Sequence, residues 1–313
     1  MAKSLAGSDR LLLILPEGLP ELLVALPVVQ SLFRARPDSA IWVLAGPRES
    51  GFLAGLFGQE RLLTLNPDQF QYGEDHFKEM LQRVEAMRPE VVINFRTGGS
   101  PLLYFLVRMT QAPLRIQLGA APSAPWSNIT LVAGEPPNHI RQYQMAARLW
   151  DSAGIPLSGK WGRIVPPPVA LERARSLLTS ARLDPATTLI FPWQDHPGEA
   201  QADLLARLTA REARGQSPRA VALLQAEAPL FLSPPPPPAV ASAHPVLKAD
   251  TASTLLALFA TTSGTMGMHG PLLLLAGLTD ADVTGYFDAK DAPWDTSALN
   301  SRLRVERLGD FRE

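Results

Sequence analysis

Short apolar runs recur along this chain, and between them lie longer stretches in which apolar residues return every three or four positions. The opening shows the alternation best. Leu11 to Leu15 is an unbroken aliphatic run, and Pro16-Glu17-Gly18-Leu19-Pro20 interrupts it. Glu21 to Arg34 then follows a helical pattern, and Ile41 to Ala45 is apolar again. This is a strand, a loop, a helix and a second strand, with strands buried on both faces as in a parallel sheet. The same rhythm predicts strands over 62–65, 91–95, 114–118 and 129–133, and helices over 49–56, 76–87, 102–110 and 138–153. Alternation at this spacing predicts a sheet of parallel strands wrapped by helices.

Residues 154–170 break the rhythm with Pro156, Pro166, Pro167 and Pro168 and with Gly159 and Gly162, a composition that suits a linker. The alternation then resumes. Helices are predicted over 171–183, 199–213, 251–260 and 272–278, and strands over 188–191, 221–224 and 283–287. Residues 297–308 are the one candidate for a terminal helix. Two halves of nearly equal length imply two Rossmann-like domains of the α/β class, 1–160 and 161–313.

Composition narrows the chemistry. With 313 residues, 46% of them hydrophobic, the chain can bury sizeable cores. A formal net charge of −1 provides no global field for nucleic acid. The absence of cysteine removes disulfides, thiolate metal sites and cysteine nucleophiles, and fits a cytoplasmic protein. Residues 1–10 lack the apolar core of a signal peptide, and no stretch reaches the roughly 18 apolar residues that span a bilayer. Membrane contact is therefore expected to be peripheral at most, at the inner face. The five histidines show no metal-ligand spacing, so no metal is expected. Neither a Gly-x-Ser-x-Gly elbow nor a Gly-x₄-Gly-Lys-Ser/Thr loop is present. Pro234 to Pro238 reads as a stiff polyproline II connector, its other use being a ligand for an SH3-type groove.

Two stretches point to a family. Glu21 stands six residues before Pro27, and Phe33-Arg34-Ala35-Arg36-Pro37-Asp38-Ser39-Ala40-Ile41-Trp42-Val43-Leu44 leads into the second strand. Together they resemble the opening of glycosyltransferase family 9, the ADP-heptose:lipopolysaccharide heptosyltransferases, with Glu21 where the family has Asp and Pro20 where it has Gly. The resemblance implies the GT-B arrangement, in which two Rossmann-like domains face a central cleft. It implies transfer of a heptose or related sugar from a nucleotide-diphosphate donor, ADP-linked, to a lipopolysaccharide-core or other glycan or glycolipid acceptor. No cofactor is implied.

Within that resemblance Glu21 is the candidate general base for the acceptor hydroxyl. Its alternative role is a first-turn carboxylate favoured by the helix dipole. Glu17 is the other carboxylate of the loop and, with Gly18, a candidate acceptor contact. Asn94-Phe95-Arg96-Thr97-Gly98-Gly99-Ser100 follows a strand at its carboxyl end. There Arg96 suits a phosphate or an acidic sugar, and Thr97, Gly98 and Ser100 are candidate contacts beside it. An ordinary βα turn with a solvated Arg is the alternative.

On the donor side, Ser263-Gly264-Thr265-Met266-Gly267-Met268-His269-Gly270 reads as a small-residue loop opening a helix, able to meet phosphate oxygens. Gly264, Thr265, Gly267 and His269 are the candidates there, a glycine-rich turn without ligand being the alternative. Thr265 stands where the family's Asp belongs. Trp193 belongs to a loop that in the family continues to a Lys, and this chain has no Lys between Lys160 and Lys248. Arg211, Arg214 and Arg219 are the nearest cations in sequence and read as solvated helix-face residues. These departures leave a second hypothesis, a catalytically degenerate GT-B protein that serves as a binding or scaffolding partner in envelope glycan assembly. A third is a GT-B enzyme with a different nucleotide donor.

Overall fold

The computed structural model describes residues 7–65, 75–96, 101–118, 127, 129–131, 148, 150–151, 154, 164–194, 198–215, 219–228, 230–287 and 303–307. The chain divides into two compact units, Met1–Gly162 and Arg163–Glu313. Each is built on a six-stranded sheet.

In the first unit the described strands are β1 (Arg10–Ile14), β2 (Ala40–Ala45), β3 (Leu62–Thr64), β4 (Val91–Asn94), β5 (Leu114–Leu118) and β6 (Ile129–Leu131). They pair in parallel in the order β3-β2-β1-β4-β5-β6. The helices are α1 (Leu19–Ala35), α2 (Pro47–Phe57), α3 (Asp75–Met87) and α4 (Pro101–Met109). Leu11, Leu12, Leu13 and Ile14 are fully buried, as a central parallel strand covered on both faces requires. Phe77, Met80 and Val84 from α3 and Leu103, Leu106 and Val107 from α4 pack with Leu12, Ile14 and Val92 in one core. The helix expected over 138–153 falls almost wholly outside the described residues.

The second unit repeats the plan. Its strands are β7 (Thr188–Trp193), β8 (Ala220–Ala226), β9 (Val246–Ala249), β10 (Gly264–Met268), β11 (Val283–Phe287) and β12 (Leu303–Arg307). Their order, β12-β11-β10-β7-β8-β9, is the same topology as the first sheet, again all parallel. The helices are α5 (Pro168–Ser180), α6 (Gly198–Arg214), α7 (Pro238–Ala243), α8 (Ala252–Thr261) and α9 (Pro271–Gly277).

Here the structure corrects the sequence reading twice. Residues 264–268, expected to be a loop, form β10 in the middle of the sheet. Their glycines serve close packing. A Cβ on Gly267 would lie 3.2 Å from Pro192 Cδ, and one on Gly285 would lie 2.5 Å from Leu273 Cδ2. Glycine at these positions lets Leu273 of α9 settle against β10 and β11. Residues 297–308, the candidate terminal helix, contain the edge strand β12. Arg304 and Glu306 are exposed along it, and charged side chains on an edge discourage pairing with another chain. The polyproline run ends as Pro238 enters the first turn of α7, a position where a missing N–H costs nothing.

Candidate functional site

In a doubly wound sheet the place for a ligand is the gap beyond the carboxyl ends of the two strands from which the connections diverge. In the first unit those strands are β1 and β4, and in the second β7 and β10.

The first gap holds a charge. Arg96 follows β4, only 8% exposed. Its Nε donates to Leu15 O at 2.8 Å, just past β1, and its Nη1 donates to Glu17 Oε1 in an ion pair. Its backbone is fixed from below: Arg96 N donates to Asn94 Oδ1 at 3.0 Å, and Gln117 Nε2 donates to Arg96 O at 2.6 Å. Asn94 Nδ2 in turn donates to Gln117 Oε1 at 2.8 Å. Both amides are buried, so this polar chain across β4 and β5 gains from being satisfied and would be costly half-made. Burial pushes the Arg96 pKa down from its ordinary value, while the negative charges of Glu17 and Glu49 oppose the shift. Arg96 Nη2 has no hydrogen-bond partner among the described residues.

Glu21 occupies the third helical position of α1, whose N-cap is Gly18. Its carboxylate folds back over that cap, where a Cβ on Gly18 would lie 2.7 Å from Glu21 Oε2. Gly18 has φ of 103°, so the turn also requires glycine on backbone grounds. Glu49 repeats the arrangement at the start of α2, its Oε2 lying where a Cβ on Gly46 would collide with it. Glu21 is partly buried, Glu49 is buried and Glu17 is exposed. The sequence expectation thus brings Glu17, Gly18, Glu21 and Arg96 to one place. Thr97, Gly98 and Ser100 lie outside the described residues.

The second gap is closed by a neutral clasp. Gln194 follows β7, and its Nε2 donates to Met268 O at 2.7 Å, across to β10. Its Oε1 accepts from Leu272 N at 3.3 Å, in the first turn of α9. Gln194 N donates to Gln201 Oε1 at 3.0 Å, and Gln201 Nε2 returns a bond to Gln194 O at 2.8 Å. Gln194 and Gln201 are both buried.

The donor candidates scatter around this clasp. His269 directly follows β10 at the carboxyl edge, with its N–H given to Tyr286 O at 2.7 Å. Gly264 and Thr265 start β10 beside Leu189 and Ile190, at the opposite, amino end of the sheet. Gly267 packs against Pro192 and Leu273. Trp193 is 2% exposed, and its ring lies in the core with Phe191 and with Leu204, Leu205 and Leu208 of α6. Phe191 and Trp193 are two apart in a strand and so share the face that α6 covers. Packing, in place of the donor contact expected, occupies Trp193, Gly264, Thr265 and Gly267.

The arginines near α6 are also spoken for. Arg219 Nε and Nη2 donate to Glu212 at 2.7 and 2.9 Å, and Arg211 Nη2 lies 3.3 Å from the same carboxylate. Burial would raise the Glu212 pKa, but hydrogen bonds and charge from Arg219 and Arg211 prevail and hold it below the usual carboxylate value. Burial raises that of Tyr286, helped by Glu306. Arg211 and Arg219 close the amino side of this sheet and do not gather at its carboxyl edge, so they are not the solvated residues that sequence alone suggests.

Sequence reasoning missed Asn94, Gln117, Gln194 and Gln201. For the first three the available signal was a lone amide inside or just after an otherwise apolar strand, whereas Gln201 lies in the first turns of α6. Among the described residues no group of three or more His, Asp or Glu side chains could hold a metal ion.

No protein-family model and no curated protein sequence matches this chain. Its fold does have counterparts among solved structures. It superimposes on a glycosyl transferase family 9 structure from Veillonella parvula with a TM-score of 0.68 and 12% identity, covering 96% of this chain and 86% of that one. The E. coli heptosyltransferase WaaC with ADP-2-deoxy-2-fluoro heptose gives a TM-score of 0.62 at 13% identity, over 95% and 93% of the two chains. E. coli ADP-heptose lps heptosyltransferase II gives 0.63 at 12%, over 95% and 90%. At these identities the likeness establishes a shared fold, two parallel α/β sheets of the GT-B glycosyltransferase kind.

Proposed function

We propose that this chain, folded like the family 9 glycosyltransferases, is itself a glycosyltransferase. It moves a heptose or related sugar from an ADP-linked donor to a lipopolysaccharide-core or other envelope glycan. The observation behind this reading is the extent of the likeness, which spans about 95% of the chain and so takes in both nucleotide-fold units. One of those neighbours was solved with an ADP-heptose analogue.

In this reading the first unit serves the acceptor and the second the donor. Glu21 takes the proton of an acceptor hydroxyl as its oxygen bonds to the anomeric carbon. The bond from that carbon to the donor phosphate breaks, and its electron pair leaves on the nucleoside diphosphate. A carboxylate at the start of a helix suits the base role because the turn holds it in place. Arg96 and Glu17 lie beside it on the acceptor side, and His269 is the described donor candidate at the carboxyl edge of the second sheet. No described helix is long and apolar enough to cross a membrane. Peripheral association at the inner face of the membrane, where such acceptors are found, is part of the proposal.

Thermal shift with ADP, UDP, GDP and dTDP tests the donor. ADP at about 100 times its dissociation constant is expected to stabilise the protein by about 2.7 kcal/mol. A response to another nucleotide instead would rename the donor. Silence from all four would remove the donor and leave the non-catalytic scaffold. Glu21→Gln is expected to abolish turnover and keep the nucleotide response, and undiminished turnover in that variant would take Glu21 out of the mechanism.

A further inference from the structure

We infer that Arg96 is a receptor for an oxyanion and that Glu17 is its removable internal occupant. The inference deepens the acceptor-side reading by naming the chemistry of the group recognised, a carboxylate or a phosphate.

The guanidinium is more than nine-tenths buried and rigidly held. Leu15 O accepts from its Nε at 2.8 Å, and Asn94 and Gln117 fix its backbone. Against this stands a loosely matched partner. An arginine fork is shaped for two parallel bonds to a carboxylate or phosphate. Glu17 makes one, to Nη1, and Nη2 has none. The Glu17 side chain is 54% exposed, so its own charge can pass into water as an incoming oxyanion takes its place at the buried guanidinium. A ligand oxyanion taking its place can use Nη1 and Nη2 together.

The setting also favours an anion. The site adjoins the start of α1, a helix of 17 residues capped by Gly18, and a helix start carries partial positive charge. Glu21 and Glu49 are folded onto Gly18 and Gly46 at the starts of α1 and α2, and Glu49 adds its charge at the guanidinium without a contact to the fork. Glu17 is the acid in contact with the fork, and the one a ligand must displace. A merely structural pair would tie the 15–17 turn to β4 and give no gain in anion binding when Glu17 is neutralised.

The test is calorimetric titration of the full chain with inorganic phosphate and, separately, with glucuronate, using glucose as the neutral control. Glu17→Gln is expected to bind at least one of the two anions about tenfold more tightly than the wild type, or about 1.4 kcal/mol. A gain for phosphate assigns a phosphorylated ligand, and a gain for glucuronate assigns an acidic sugar. Adding Arg96→Lys keeps the charge but removes the fork, and it is expected to erase the gain. If that double variant does not fold, nitrogen NMR of the arginine side chains in Glu17→Gln reads the same point, since the Arg96 signals must move with the anion. No gain for either anion in folded Glu17→Gln overturns the inference, as does a gain that survives Arg96→Lys or leaves the Arg96 signals still. A chain silent to every nucleotide would defeat the donor reading and leave these outcomes unchanged.

Discussion

At the carboxyl edge of the first sheet, β1 and β4 are bridged by a charged side chain, and at the same edge of the second, β7 and β10 are bridged by a neutral one. The two sheets share a strand order, and in both the bridging residue comes within two positions of a strand's end. Arg96 reaches Leu15 and Glu17. Gln194 reaches Met268 and Leu272, with Gln201 completing its backbone bonds. The difference is in what each bridge leaves over. Both amide groups of Gln194 are used, and everything it touches is protein. Arg96 keeps an unmatched nitrogen and a partner half in water. Buried neutral networks that are fully satisfied make permanent structure. A buried cation with a half-exposed counter-ion is suited to exchange. The same topology thus places a lock at one gap and a receptor at the other.

The sharpest way to break this contrast is to remove the lock. Gln194→Leu leaves Leu272 N–H and Met268 C=O without their side-chain partner, while Gln201 keeps its bonds to the backbone of residue 194, at about 1–3 kcal/mol for each group left unsatisfied. We expect a loss of about 3 kcal/mol, read as a lower urea midpoint. Wild-type stability in this variant would show that the clasp is ornamental. Next in size is Gly18→Ala, which forces a Cβ onto a backbone at φ 103° and into the Glu21 carboxylate. Strain of that kind costs about 1–3 kcal/mol, and here it should come with displacement of Glu21 and loss of turnover. A variant that lost stability but kept its activity would separate the cap from the base.

A third experiment sets a different kind of charge beside Arg96. Glu212 in the second unit is held by two arginines and buried, with its pKa depressed below the ordinary carboxylate value. A depressed folded-state pKa stabilises the fold above the unfolded value and loses that contribution as pH falls through the folded one. The wild type should therefore lose stability on acidification below about pH 4.5 more steeply than Glu212→Gln. Parallel acid limbs for the two proteins would sink this assignment. The smallest effect is expected at the receptor itself. Glu17→Gln removes the charge in contact with a buried guanidinium but keeps a carbonyl oxygen that can accept from Nη1, with Glu49 still contributing its charge, so a change of about 1 kcal/mol is expected. Its melting temperature should barely move, while its affinity for anions should. A large stability loss would make Glu17 a structural residue like Gln194.

Much of the site on the first sheet was legible in advance, and little of that on the second. Glu17, Gly18 and Glu21 stand in a Pro/Gly-broken loop between an unmistakable strand and helix, and Arg96 follows another apolar run. Sequence order alone puts such residues at the carboxyl edge of a parallel sheet. Gly264 to Gly270 looked equally clear and was misleading. Glycines that open a phosphate loop and glycines that let a helix lie against a strand have the same letters, and only the contact of Leu273 with Gly285 distinguishes them. Trp193 illustrates the same limit, since its ring could serve a ligand or the core and its face of β7 is covered by α6.

What the chain determines by itself is the periodicity: where strands and helices fall, that the strands are buried on both faces, and that two such halves follow each other. Those properties reside in local spacing and in the turn chemistry of Gly and Pro. Only the tertiary structure decided that Arg96 meets Glu17 across 79 residues while Gln194 meets Met268 across 74. Pairings of that kind depend on strand order, because residues distant in sequence become neighbours only when β4 lies beside β1 and β10 beside β7.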